Sequence, residues 1–117
     1  MPTVTKNFQL YQGEDVVLPD TIYQPDGVTP QNVTGWAVQF TLHALAGATD
    51  PPTPVVVKKT VGAGIVLTTP LAGLLTISLA AADTAALAPG PYLYRVERTD
   101  AGLDAVLTAG VLTLLLK

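Results

Sequence analysis

The last third of the chain leaves the fewest folding options. From Pro89-Gly90-Pro91, a run carrying Tyr92, Tyr94 and Val96 leads to Asp100-Ala101-Gly102-Leu103 and returns along residues 105–116. Val, Tyr, Leu and Thr dominate both arms, a Pro/Gly cluster opens the first, and an Asp/Gly turn separates them. That pattern predicts a β-hairpin. The rest of the chain must then cover it.

At 117 residues the chain reads as a single domain over residues 1–117, long enough to bury a core without metals or disulfides. It has no Cys, which excludes a disulfide scaffold, thiol catalysis and a Cys-ligated metal. The start, Met1-Pro2-Thr3-Val4-Thr5-Lys6, lacks the apolar core and small-residue cleavage site of a secretory signal. The apolar run over residues 111–116 is far shorter than the roughly 20 residues a spanning helix needs. Only 13% of residues are charged, against about 25% in an average domain. Such a surface is coated by hydroxyls and backbone, or covered by neighbours in an assembly. With a net charge of −3, four Lys and two Arg, the chain has no clustered cations to displace nucleic-acid counterions, and an anionic membrane is disfavoured likewise.

Period-two patterning recurs between Gly/Pro breaks. Residues 7–11 alternate Phe8 and Leu10 with Gln9. Residues 16–18 resume and continue through Ile22 and Tyr23, and Pro19 marks an interruption, a bulge or a sheet edge. Pro25-Asp26-Gly27 is a turn with preset φ followed by a glycine. Residues 35–45 form the most regular strand, with Trp36, Val38, Phe40 and Leu42 on one face and Trp36 expected in the core. Residues 46–54 read as a loop. Residues 55–61 resume as a strand whose Lys58-Lys59 pair suits an exposed or edge position. A hairpin turn at Gly62-Ala63-Gly64, a strand from Ile65, and a strand alternating Leu75, Ile77 and Leu79 follow. The Ala-rich residues 80–87 are the one plausible helix, a short connection. About seven or eight short strands without a long helical pattern indicate an all-β, two-sheet antiparallel sandwich.

Chemistry is sparse. His43 is the sole histidine and Ser78 the sole serine. His43 lies on the polar face of its strand and reads as exposed or locally hydrogen-bonded, and Ser78 has no nucleophile elbow around it. Glu14, Asp15 and Asp20 form the one acidic cluster, without the spacing of a calcium loop. Gly62-Ala63-Gly64 precedes a strand, so it lacks the helix N-terminus of a phosphate cradle. No catalytic, cofactor-binding or metal residues are assigned, and an enzyme is not expected. Tyr92 and Tyr94 share a strand face just after a tight corner, which favours the core, with the Tyr92 hydroxyl bonded to nearby backbone. Val111, Leu112, Leu114, Leu115 and Leu116 make the last strand apolar on both faces, whereas a sandwich strand needs only one apolar face. Leu112, Leu114, Leu115 and Leu116 are therefore candidate interface residues.

The order of these motifs resembles a known group. Gly13-Glu14-Asp15-Val16-Val17, the Pro25-Asp26-Gly27 turn, Asn32-Val33-Thr34-Gly35-Trp36 leading into Val38-Gln39-Phe40, Gly73-Leu74-Leu75-Thr76-Ile77, Ala82-Asp83-Thr84 and Pro89-Gly90-Pro91-Tyr92-Leu93-Tyr94-Arg95-Val96 form a series. It is similar to the immunoglobulin-like domains of tailed-phage virion proteins, including the amino-terminal domain family of the baseplate upper protein. The resemblance implies an immunoglobulin-like fold and a non-enzymatic structural role on the virion, as a decoration, adaptor or baseplate/fibre component. The implied partners are other virion proteins, capsid or tail subunits, with the chain present in many copies or as a homo-oligomer, and assembly in the host cytoplasm. The alternative is a module that binds a host-surface glycan or receptor through exposed aromatics.

Overall fold

The computed structural model describes residues 4–24, 26–44, 55–100, 102 and 105–116. Nine strand segments follow in order: β1 (Val4–Thr5), β2 (Phe8–Tyr11), β3 (Val16–Thr21), β4 (Val38–Ala44), β5 (Val55–Val61), β6 (Gly64–Thr69), β7 (Leu74–Leu79), β8 (Gly90–Arg98) and β9 (Ala105–Leu115). A 3₁₀ turn (Pro70–Ala72) joins β6 to β7, and a five-residue helix, α1 (Ala81–Ala85), joins β7 to β8. The fold is all-β. The loop expected over residues 46–54, Pro25 and part of the 100–103 turn lie outside the described residues.

The hairpin predicted at the end of the chain is present, with β8 and β9 antiparallel from Gly90↔Leu114 to Arg98↔Ala105 and a register shift after Val96. It lies next to one edge of the sheet. The hydrogen-bonded order is β1-β9-β8-β4-β5-β6-β7-β3, with β2 also on β9. β1 and β2 run end to end along the same edge of β9, parallel to it, so nine segments fill eight strand positions. The parallel pairing was not expected from the sequence, because it joins the two ends of the chain. At the break between β1 and β2, Asn7 Oδ1 accepts the Val111 N–H at 2.9 Å in place of a backbone carbonyl. A Cβ on Gly110 would collide there with the Lys6 carbonyl oxygen.

The strands follow one continuous path curled into a half-barrel instead of two separate sheets. Strands β6-β7-β3 connect to the rest at two Cα pairs only, Thr60↔Gly64 and Val61↔Ile65, in parallel register. The expected hairpin at Gly62-Ala63-Gly64 is thus a tight corner. Positive φ at Gly62 (86°) and Gly64 (105°) turns the backbone there, and β6 leaves β5 to pair antiparallel with β7.

Alternation decides what is buried. Val38, Phe40 and Leu42 of β4, Leu75, Ile77 and Leu79 of β7, Tyr92, Tyr94 and Val96 of β8, and Leu112 and Leu114 of β9 fill the concave side. The Tyr94 ring lies 5.0 Å from Phe8 and 6.0 Å from Phe40, centroid to centroid. The Tyr92 hydroxyl donates to the Ala88 carbonyl at 2.6 Å, the local bond expected of it. Trp36 departs from expectation: β4 begins two residues after it, and it is half-buried under the Arg98 guanidinium, 3.9 Å from the ring centroid. Helix α1 is held by carboxylates at its start, where Asp15 accepts the Ala81 N–H and Asp83 the Ala80 N–H, both at 2.7 Å. That suits the positive end of a helix.

Candidate functional site

The two edges of the curled sheet, β1/β2 and β3, approach each other without pairing as strands, and a seam opens between them. β3 bonds to β7 alone, so Pro19 sits on an edge, where its missing N–H breaks no ladder. Counting in twos from Val16 through Leu18 points Asp20 inward, and it is 6% exposed. Its carboxylate is met by three donors: Thr108 Oγ1 at 2.8 Å on Oδ2, with Lys6 Nζ at 3.0 Å and the Thr21 N–H at 3.0 Å on Oδ1. Residues from the two edges and from β9 are thereby tied across the seam. The Lys6 side chain is 48% exposed. Tyr94 donates its hydroxyl to the Lys6 carbonyl at 2.6 Å. Burial, with the Asp20 charge adding to it, pushes the Tyr94 phenol up to about 12.

Beside this network the seam forms a half-open cavity of about 290 Å³, lined by Phe8, Leu10, Leu18, Phe40 and Ile77 among others, with Lys6, Gln9, Asp20 and Thr108 as its polar residues. Its chemistry is that of a binding pocket, apolar with a few placed polar groups. Both Asp20 oxygens are engaged, Oδ2 by the Thr108 hydroxyl and Oδ1 by the Lys6 ammonium and the Thr21 N–H.

The acidic cluster expected over Glu14, Asp15 and Asp20 is dispersed: Glu14 is exposed, Asp15 caps α1 and Asp20 is buried in the seam. Among the described residues no group of three or more His, Asp or Glu side chains could hold a metal ion, and no helix is long and apolar enough to cross a membrane. His43 is buried, with Nε2 3.1 Å from Thr41 Oγ1. Ser78 is exposed on β7, separated from the strand of His43 by β5 and β6.

The candidate interface residues divide. Leu112 and Leu114 point into the core at 0% and 1% exposure, so they present no surface, because their strand is covered on its concave side by the sheet itself. Leu115 is half-buried and Leu116 is 74% exposed. Around them the convex side is uncharged: Tyr11 pairs with Leu115, Gln9 with Thr113, and Leu93 with Val111. A second convex face was not anticipated. On β3, β7 and β6 the outward positions are Val17, Pro19 and Thr21, then Leu74, Thr76 and Ser78, then Val66 and Thr68. None of these is charged, and Val17 and Val66 are more than half exposed. The signal was legible in retrospect, since the alternate positions to the core residues of all three strands are Val, Thr, Ser, Leu or Pro.

The chain matches no protein-family model and no curated protein sequence.

Proposed function

We propose that this chain is a non-enzymatic structural module of a tailed-bacteriophage virion, docked in many copies on capsid or tail subunits, and that its curled sheet is an immunoglobulin-like sandwich. The strand order supports the fold reading. With β2 as the first strand, β3-β7-β6 follows the B-E-D order of one immunoglobulin sheet, and β9-β8-β4-β5 follows the G-F-C-C′ order of the other, with β2 beside the last strand. The two halves join only at Thr60 to Ile65. The Tyr92–Ala88 bond just after the corner is of the tyrosine-corner kind. The motif series from Gly13 to Val96 supports the virion role.

The observation that carries the docking function is the uncharged convex face of β3, β7 and β6. A solvated face of an antiparallel sheet ordinarily carries polar and charged residues, whereas this one exposes Val17, Val66 and Leu74 among hydroxyls. Contiguous patches of this sort mark interaction surfaces. The glycan-binding alternative draws less support: Tyr92 and Tyr94 are buried, Trp36 lies beneath Arg98, and Tyr11 is the most exposed aromatic among the described residues.

The test is the copy number in purified virions, by quantitative mass spectrometry against the major capsid protein and the portal. A value near the capsid protein indicates decoration of the shell, and a value near the portal indicates tail, neck or baseplate. Absence from the particle overturns the reading.

A further inference from the structure

The seam cavity has a chemistry that virion docking does not use, and we propose that it binds a small amphipathic molecule, with an aromatic or short-chain apolar body inside and a hydrogen-bond-accepting head at Lys6. The volume sets the size of the body. About 290 Å³ is roughly twice the ~150 Å³ engineered apolar cavity that stays dry and takes up benzene, so a chain of about eight carbons or a small ring system fits. The walls set its polarity: Phe8, Phe40 and Tyr94 supply ring faces, and Leu10, Leu18 and Ile77 supply aliphatic surface.

The polar end sets the head group. Asp20 already takes three donors, the Lys6 ammonium and the Thr21 N–H on Oδ1 and the Thr108 hydroxyl on Oδ2, and the Tyr94 hydroxyl is used on the Lys6 carbonyl. Lys6 has three donors, directs one at Asp20 at 3.0 Å, and is 48% exposed. The remaining Lys6 donors therefore favour an arriving group that accepts. A cationic head is disfavoured by the ammonium, with the neighbouring carboxylate already neutralised.

Along β3 the same residues disfavour an added β-strand as the occupant. Pro19 has no N–H, and the Thr21 N–H is bonded to Asp20, so the β3 edge along the cavity lacks the donors that strand addition requires.

The experiment is ligand-observed and ¹⁵N-detected NMR on the full chain with 1-octanol, octanoate and octylammonium, all below micelle-forming concentrations. Octanol and octanoate are expected to bind saturably, shifting Phe8, Leu18 and Ile77 amides, with octylammonium at least about tenfold weaker, a difference near 1.4 kcal/mol. Leu18→Trp, which fills the cavity from the edge strand, abolishes binding. Leu10→Trp on the opposing strand gives the same result and serves if the first variant does not fold. Lys6→Gln closes the gap between octanoate and octylammonium. The proposal is overturned if none of the three binds saturably, if both Trp variants that fold bind as well as the wild type, or if the wild type binds octylammonium as tightly as octanoate. Virion copy number is independent of all these outcomes.

Discussion

Asp20 is the residue on which the seam depends, and its surroundings decide what its loss does. It is buried, its partner Thr108 is 2% exposed, and its partner Lys6 is half in water. Asp20→Ala strands the Thr108 hydroxyl and frees the Thr21 N–H, and an unmet buried polar group costs about 1–3 kcal/mol. The Lys6 contribution is screened by solvent, so a double-mutant cycle of Asp20→Ala with Lys6→Met should return a coupling of no more than about 1 kcal/mol. Urea denaturation of the four proteins measures both numbers, and a coupling well above that bound would mean the ion pair, not the Thr108 bond, holds the seam. Tyr94 gives the matching prediction at high pH. Its phenol is raised by burial first and by Asp20 second, to about 12, from about 10 in an unfolded chain. The folded state therefore retains a proton that the unfolded state releases. The stability this contributes is fully present below about pH 10 and is lost as pH rises toward 12. Wild type should lose stability over that window more steeply than Tyr94→Phe, read by denaturant midpoints at pH 9 and pH 11. Equal slopes would show that Tyr94 ionises like a free phenol.

At the scale of elements, β3 is an edge strand built to resist pairing. Pro19 removes a donor, Asp20 turns a charge inward, and both are devices that keep edges from joining other chains. Pro19→Val restores an N–H at an edge position flanked by Val17 and Leu18. It should leave the monomer's thermal stability within about 1 kcal/mol and raise self-association, visible by sedimentation velocity as a concentration-dependent dimer. An unchanged monomer would mean that Asp20 alone protects the edge. How far these elements were legible follows from the range of the interactions that specify them. The β8–β9 hairpin, the alternation in β4 and β7 and the short helix after Leu79 all arise from neighbours in sequence, and each is where the pattern placed it, while of the interruption, bulge or edge that Pro19 marks the sheet shows the edge. The parallel pairing of Phe8 with Leu112 and the meeting of Asp20 with Thr108 join residues whose proximity is set by the closure of the whole sheet. Pattern alone carries no information on that closure. Asp20 did leave a trace, as a charged residue in core phase on a Pro-containing strand. Leu112 and Leu114 misled for a related reason: an apolar run over-specifies burial, and only the register with β8 decides which of its residues face inward.

For the molecule as a whole, the distribution of charge is the feature that most needs a partner. Among the described residues, four ion pairs, Lys6–Asp20, Lys59–Asp83, Arg95–Glu97 and Arg98–Asp100, gather charge at the seam, beside α1, on the outer side of β8 and near the hairpin turn, leaving the convex face of β3, β7 and β6 bare of it. The face on β3, β7 and β6 is small. Three strands spaced about 4.8 Å apart and six residues long cover about 300 Å², well under the roughly 800 Å² per partner of a stable protein complex. One such contact is weak, and it becomes useful when a lattice of neighbours holds many copies at high effective concentration. That reasoning predicts how the proposed docking should fail. Val17→Lys and Val66→Lys place a charge at exposed positions, so each should change folding stability by no more than about 0.5 kcal/mol. A charge desolvated at an interface without a partner is costly, so each variant should be reduced severalfold in purified virions when expressed in competition with wild type. Leu115→Lys, on the outer side of β9, tests whether that face docks as well. Incorporation of all three at the wild-type level, with stability unchanged, would remove both convex faces as docking surfaces.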